Sequence, residues 1–109
     1  MKLVFAGTPE FAAVSLEALL RARHEVALVL TQPDRPAGRG LKPQPSAVKQ
    51  LALEGGLPLL QPSKLADPPT LAAIAGARPE AIVVAAYGLI LPAALLAVPP
   101  RGCINVHAS

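Results

Sequence analysis

Apolar positions in this chain come as short, nearly uninterrupted blocks separated by polar, proline- or glycine-bearing segments. KLVFAG (Lys2 to Gly7) is short, apolar and closed by glycine, which predicts a buried strand. Thr8 is placed to cap a helix, Pro9 suits its first position, and Glu10 complements its positive end. Phe11 to Ala22 carries Ala12, Leu16, Leu19 and Leu20 at helical spacing. EVALVLT (Glu25 to Thr31) is a second apolar strand, so the first three elements predict a parallel, right-handed crossover. Ser46 caps a predicted helix over Ala47 to Glu54, closed by Gly55 and Gly56. Leu57 to Leu60 is a short third strand and Thr70 to Ala77 a helix. Ala81 to Tyr87 is a fourth strand, Leu91 to Val98 a turn or short helix, and Cys103 to His107 a fifth strand. The predicted class is α/β: a Rossmann-like, open, mainly parallel sheet flanked by helices.

One segment breaks this rhythm. TQPDRPAGRGLKPQP (Thr31 to Pro45) holds four prolines, two glycines and no apolar period, and is read as a loop. It is long for a compact domain, and such loops carry function or stay disordered. Arg35, Arg39 and Lys42 set against Asp34 make it weakly basic. A loop of that kind can order on a phosphate backbone with salt-sensitive affinity. Composition alone reads it more simply as a solvated surface loop.

Composition narrows the class further. The 109 residues are 52% hydrophobic and 16% charged, which is globular, and form one domain or part of one. A chain of this length buries roughly 60–70% of its unfolded surface. Aromatics are only 3%, so aliphatic residues must fill the core. A net charge of +3 permits an anionic partner without requiring one. The single Cys103 excludes an internal disulfide and a cysteine-based zinc site, and fits a reducing compartment. No metal-ligand cluster is legible. Ala81 to Val98 lacks charge over 18 residues, but Gly88 and Pro92 divide it into strand and short helix, against a membrane span.

In open parallel sheets, ligands bind at the carboxyl ends of the strands near the reversal of strand order. The first, fourth and fifth strands are expected to meet there, bringing together Gly7, Tyr87–Gly88 and His107–Ser109. A dinucleotide fingerprint aligned on Gly7 puts Pro9 at the second glycine, where a pyrophosphate needs space and an N–H. Thr31 and Gln32 stand where an acidic ribose ligand belongs, so the site is not that of a dinucleotide binder. In the fifth strand Ile104, Val106 and Ala108 alternate with Cys103, Asn105, His107 and Ser109. The second set offers an amide, an imidazole and a hydroxyl at a strand end. An amide can donate to a developing oxyanion and an imidazole can move a proton near neutral pH. On spacing alone, capping of neighbouring loop backbone is the simpler role for both.

FAGTPEFA, TQPDRPAGRG, AYGLILP and GCINVHAS occur in this order and at these spacings. Together they resemble the N-terminal part of the methionyl-tRNA formyltransferase family, over essentially the whole chain. Asn-x-His-x-Ser belongs to the wider group of 10-formyltetrahydrofolate-dependent formyltransferases and hydrolases. The TQPDRPAGRG segment is more discriminating, because the purine-pathway relative lacks it. The resemblance implies a catalytic pair, Asn105 and His107, that polarises the formyl carbonyl and stabilises the oxyanion formed by amine attack. It implies a third partner, an aspartate further along, for which no residue here can stand. It implies that Tyr87, Gly88, Leu89, Ile90, Leu91 and Pro92 form the loop under the pterin ring, mostly through backbone groups. Ser109 would open a folate-contacting stretch. Arg39, supported by Arg35 and Lys42, would contact tRNA from an insertion spanning Thr31 to Pro45.

The implied reaction is metal-free transfer of a formyl group from the cosubstrate 10-formyltetrahydrofolate to the α-amine of methionyl initiator tRNA, in the cytoplasm. Residues 1–109 would be the N-terminal portion of the catalytic domain, without the rest of that domain or a C-terminal β-barrel. The whole enzyme is expected to be a monomer, and this portion alone inactive and prone to self-pairing at its exposed ladder edge. Two alternatives remain: another 10-formyltetrahydrofolate user acting on a small amine or water, and a noncatalytic α/β ligand-binding module.

Overall fold

A computed structural model describes residues 1–37, 42–88 and 91–106. The elements run β1 (Lys2–Gly7), α1 (Glu10–Arg21), β2 (Glu25–Leu30), β3 (Arg35–Ala37), β4 (Lys42–Gln44), α2 (Ala47–Glu54), β5 (Leu59–Leu60), α3 (Pro68–Ala77), β6 (Ala81–Ala85), α4 (Ala93–Leu96) and β7 (Cys103–Val106). Five of the strands form one sheet in the order β5-β2-β1-β6-β7, with every neighbouring pair parallel. Strand order reverses beside β1, so the first, fourth and fifth strands of this sheet are neighbours, as the sequence predicts.

The sheet is covered on both faces. Leu3, Phe5, Val83 and Ala85 pack with Ala12 and Leu16 of α1 and with Val48 and Ala52 of α2. Val4, Ala6, Leu28, Leu30 and Ile82 pack with Ile74 of α3, Leu95 of α4, Leu65 and Tyr87. This two-sided burial is why the strands read as continuous apolar runs. In β2 the register slips by one residue at Ala27, pairing Leu3 with Val26 but Val4 with Leu28. The slip is a β-bulge, and it lets Val26 and Val29 share a layer although they stand three positions apart, an odd step.

Two local readings need correction. Thr8 does not cap α1: Pro9 is the N-cap, and the Thr8 hydroxyl donates instead to the Tyr87 carbonyl. The helix starts without a side-chain cap, with Glu10 in its first turn. The segment Thr31 to Pro45 is also not wholly loop. It contains an antiparallel pair, with Arg35 opposite Gln44 and Ala37 opposite Lys42. Proline-rich sequence hid it, because prolines are tolerated in a two-stranded ribbon whose outer edges need no donor. Ser46 does cap α2, accepting from the Lys49 backbone N–H at 3.0 Å.

Gly7 ends β1 where the backbone passes tightly between α1 and β6. A Cβ there would lie 2.7 Å from the Ala12 Cβ, 2.8 Å from the Ala85 carbonyl and 2.9 Å from the Phe5 ring. Gly7→Ala is therefore expected to cost about 1–3 kcal/mol by overpacking, read as a lower midpoint in urea unfolding.

Candidate functional site at the strand ends

The carboxyl ends of β1, β2 and β6 are joined by polar groups. Where the sheet stops, backbone leaves the ladder and must find other partners. The Tyr87 carbonyl is the hub. It accepts from Gln32 Nε2 at 2.7 Å and from Thr8 Oγ1 at 3.0 Å. The Thr8 hydroxyl in turn accepts from the Gln32 backbone N–H at 3.3 Å. Gln32 is 8% exposed, and its remaining side-chain oxygen accepts from the Arg35 guanidinium at the start of β3. Gly88 follows with φ +92° and stays exposed. A Cβ at Gly88 would run into the Gln32 amide.

A second cluster holds the other side of the insertion. Asp34 receives Lys49 Nζ on both carboxylate oxygens, at 3.1 and 3.0 Å, and Gln61 Nε2 at 2.8 Å. Gln61 Nε2 also donates to the Gln32 carbonyl at 3.2 Å. These donors, first the Gln61 amide and then the Lys49 ammonium, hold the Asp34 carboxyl below its usual range. Thr31, wholly buried, shares a 2.8 Å hydroxyl hydrogen bond with the α2 cap Ser46. Asp34 is thus neutralised by Lys49, and Arg35 is the described basic side chain of the ribbon.

Alternate residues of β7 turn to opposite sides of the sheet. Cys103 packs with the α3–α4 layer and Val106 with the α1–α2 layer. Asn105, level with Val84 of β6, shares the Cys103 face two residues further toward the strand end and is exposed. Cys103 is partly buried, which pushes its thiol pKa up and keeps it protonated at neutral pH. His107 and Ser109 lie outside the described residues, as do Arg39, Leu89 and Ile90. For Lys42 the described geometry is its backbone position opposite Ala37. Leu91 packs against the α3–α4 layer, and Pro92 caps α4.

Tyr87 turns its side chain inward, 1% exposed within the α3–α4 layer. Burial pushes its phenol up to about 12. Its hydroxyl has no hydrogen-bond partner among the described residues. What Tyr87 offers at the strand end is therefore backbone. Among the described residues, no group of three or more His, Cys, Asp or Glu could hold a metal ion, and no helix is long and apolar enough to cross a membrane.

Sequence reasoning missed Thr8, Gln32, Asp34, Lys49 and Gln61 as members of this region. Their contacts with one another and with Tyr87 span 15 to 79 positions along the chain, beyond the reach of local spacing. The available signal was indirect: buried polar residues directly after an apolar strand, as Thr31 and Gln32 are after β2.

With this arrangement in view, the chain belongs to the formyl transferase family, whose model matches residues 1–109. Among similar proteins is the methionyl-tRNA formyltransferase of Methylobacillus flagellatus, 62% identical over 109 residues, all of this chain and 35% of that protein. The methionyl-tRNA formyltransferases of Thiobacillus denitrificans and Pseudomonas paraeruginosa are 60% and 61% identical, with the same coverage. The chain spans about a third of the length of these curated relatives. The fold is shared with a crystal structure of phosphoribosylglycinamide formyltransferase from Bacillus halodurans. The TM-score is 0.70 at 15% identity, over 98% of this chain and 56% of that one.

Two outcomes follow from the site. Tyr87→Phe is expected to leave stability unchanged or raise it, since an unpaired buried hydroxyl costs about 1–3 kcal/mol. Chemical denaturation of both forms measures this. Asp34 binds its proton more weakly when folded, so its contribution is present above its ordinary pKa of 3.8 and lost as pH falls through the lower folded value. Unfolding curves between roughly pH 5 and pH 2 should therefore be less steep in pH for Asp34→Asn than for the parent.

Proposed function

We propose that the chain is the first part of the catalytic domain of an enzyme that transfers formyl from 10-formyltetrahydrofolate to the α-amine of methionyl initiator tRNA. The observation that carries the reading is the strand-end arrangement. The exposed Asn105 amide stands at the end of β7, beside the β6 end where backbone at Tyr87–Gly88 leaves the sheet. This occurs in a chain 62% identical to a methionyl-tRNA formyltransferase over its whole length.

The amine attacks the formyl carbon, and the carbonyl π electrons move onto oxygen. Asn105 donates its amide N–H to that oxyanion, and a protonated His107 supplies a second donor. Collapse of the tetrahedral intermediate breaks the bond to N10 of the folate, which takes up a proton while the amine loses one. Donors held in place before the reaction need no reorganisation as charge develops. The pterin lies over residues Tyr87 to Pro92 and is held by backbone. The inward Tyr87 side chain and the positive φ of Gly88 support a surface made of main chain there. Ser109 adds a folate contact.

Arg35, Arg39 and Lys42 on the Thr31–Pro45 insertion meet the tRNA backbone. The Asp34–Lys49 pair keeps the nearest carboxylate from cancelling them. The remaining catalytic domain, including the aspartate that orients His107, and a C-terminal β-barrel complete a monomeric cytoplasmic enzyme.

Steady-state kinetics on the full-length enzyme tests this. Asn105→Ala is expected to raise the barrier by about 3–4 kcal/mol, the loss of one oxyanion donor. A turnover change below about fivefold would remove Asn105 from that role. Arg39→Ala is expected to weaken use of charged tRNA with folate affinity unchanged. A fall in folate affinity instead would overturn the assignment of the insertion.

A further inference from the structure

We propose that Gln32 is a positioning residue that fixes the Tyr87–Gly88 turn to the basic insertion, so that the two substrates' binding surfaces are set by one side chain. The proposal rests on the formyl-transfer reading above, in which the turn supports the folate and the insertion meets the tRNA.

The geometry is specific. The Gln32 amide has one donor end and one acceptor end, and the structure uses each for a different purpose. Nε2 donates to the Tyr87 carbonyl at 2.7 Å, across 55 residues of chain. Oε1 accepts from the Arg35 guanidinium, the first residue of β3. The Gln32 side chain is nearly buried and its bond to the Tyr87 carbonyl is buried, so water cannot cheaply replace that bond. Thr8 supports the same carbonyl from β1 at 3.0 Å, and it also accepts the Gln32 backbone N–H. Gly88 completes the fit, because a side chain there would occupy the volume of the Gln32 amide and its φ of +92° suits glycine alone. A fixed turn matters most if recognition there uses backbone atoms, since backbone cannot adjust by changing rotamer. On the opposite side, the Oε1 contact sets where the Arg35 guanidinium stands, and so the position from which it meets a phosphate. The amide is therefore a mechanical link between the two surfaces as well as a brace.

The two ends of the amide can be separated by substitution. Gln32→Glu keeps an acceptor for Arg35 but loses the donor to Tyr87 and sets a carboxylate against its carbonyl. Gln32→Met keeps the length and removes both bonds. In the full-length enzyme, Gln32→Glu is expected to raise the KM for 10-formyltetrahydrofolate at least fivefold and to leave the KM for methionyl-tRNA within twofold. Gln32→Met is expected to raise both. Amide hydrogen exchange over residues 85–92 should be faster in both variants, with melting temperatures showing that each remains folded. A folate KM within twofold of the parent in both variants, with unchanged exchange, overturns the proposal. So does an equal rise of both KM values in both variants, which would mark general loosening. If the parent transfers no formyl group to tRNA, the functional reading fails on its own. Exchange then decides the positioning role, and unchanged protection at Tyr87–Gly88 ends it.

Discussion

Two-sided burial of a parallel sheet is the constraint from which the other features follow. On β1, β2 and β6 nearly every side chain is claimed by one of two apolar layers, so none is left to do chemistry along the strand. Polar function is pushed to the strand tips, where backbone leaves the ladder and side chains can project past the helices. The tips of these three strands are tied by a single acceptor, the Tyr87 carbonyl, which holds Thr8 and Gln32 at once. Tips joined in this way form one surface rather than three separate loops.

The insertion after β2 is built on that surface instead of hanging from it. Its near root carries Arg35 on the Gln32 amide, and Asp34 is held by Lys49 from α2 and Gln61 from beyond β5. The Asp34–Lys49 pair is partly exposed, so its Coulomb energy is screened and its value lies in geometry. It fixes the ribbon's approach while neutralising the carboxylate next to Arg35 in the chain. A ribbon rooted at two points can present cations at a defined angle, which a free loop of the same composition cannot.

The layers were legible in the sequence and the junction was not. Apolar blocks at Lys2–Gly7, Glu25–Leu30 and Ala81–Ala85 identify buried strands because burial on both faces removes the alternation that would otherwise confuse them with surface. Asn105 could be assigned to the Cys103 face because alternation is enforced by the pleat. Thr8 was misread because a threonine before Pro-Glu satisfies local capping rules, while the carbonyl it serves lies 79 residues away. The β3–β4 ribbon was missed because prolines signal loop unless the strand is known to be an edge. The slip at Ala27 leaves no mark in a run of aliphatic residues. Local rules see capping, period and turn chemistry. They do not see which distant backbone group needs a partner.

The same folding constraint explains which of two possible crevices is available. A sheet whose order reverses beside β1 offers a ligand the β1–α1 turn or the ends of β6 and β7. The first choice serves a pyrophosphate only if the turn supplies space and N–H groups. Here Gly7 is packed against Ala12, Ala85 and Phe5, Pro9 has no N–H to give, and the Thr8 hydroxyl is spent on Tyr87 and Gln32. At the second, Gly88 and Asn105 are both exposed at adjacent strand ends, and the large Tyr87 side chain is withdrawn into the core. Closing one turn and clearing the other leaves the ends of β6 and β7 as the open crevice without altering the sheet, so a single parallel scaffold can offer a ligand either place according to the residues at its turns.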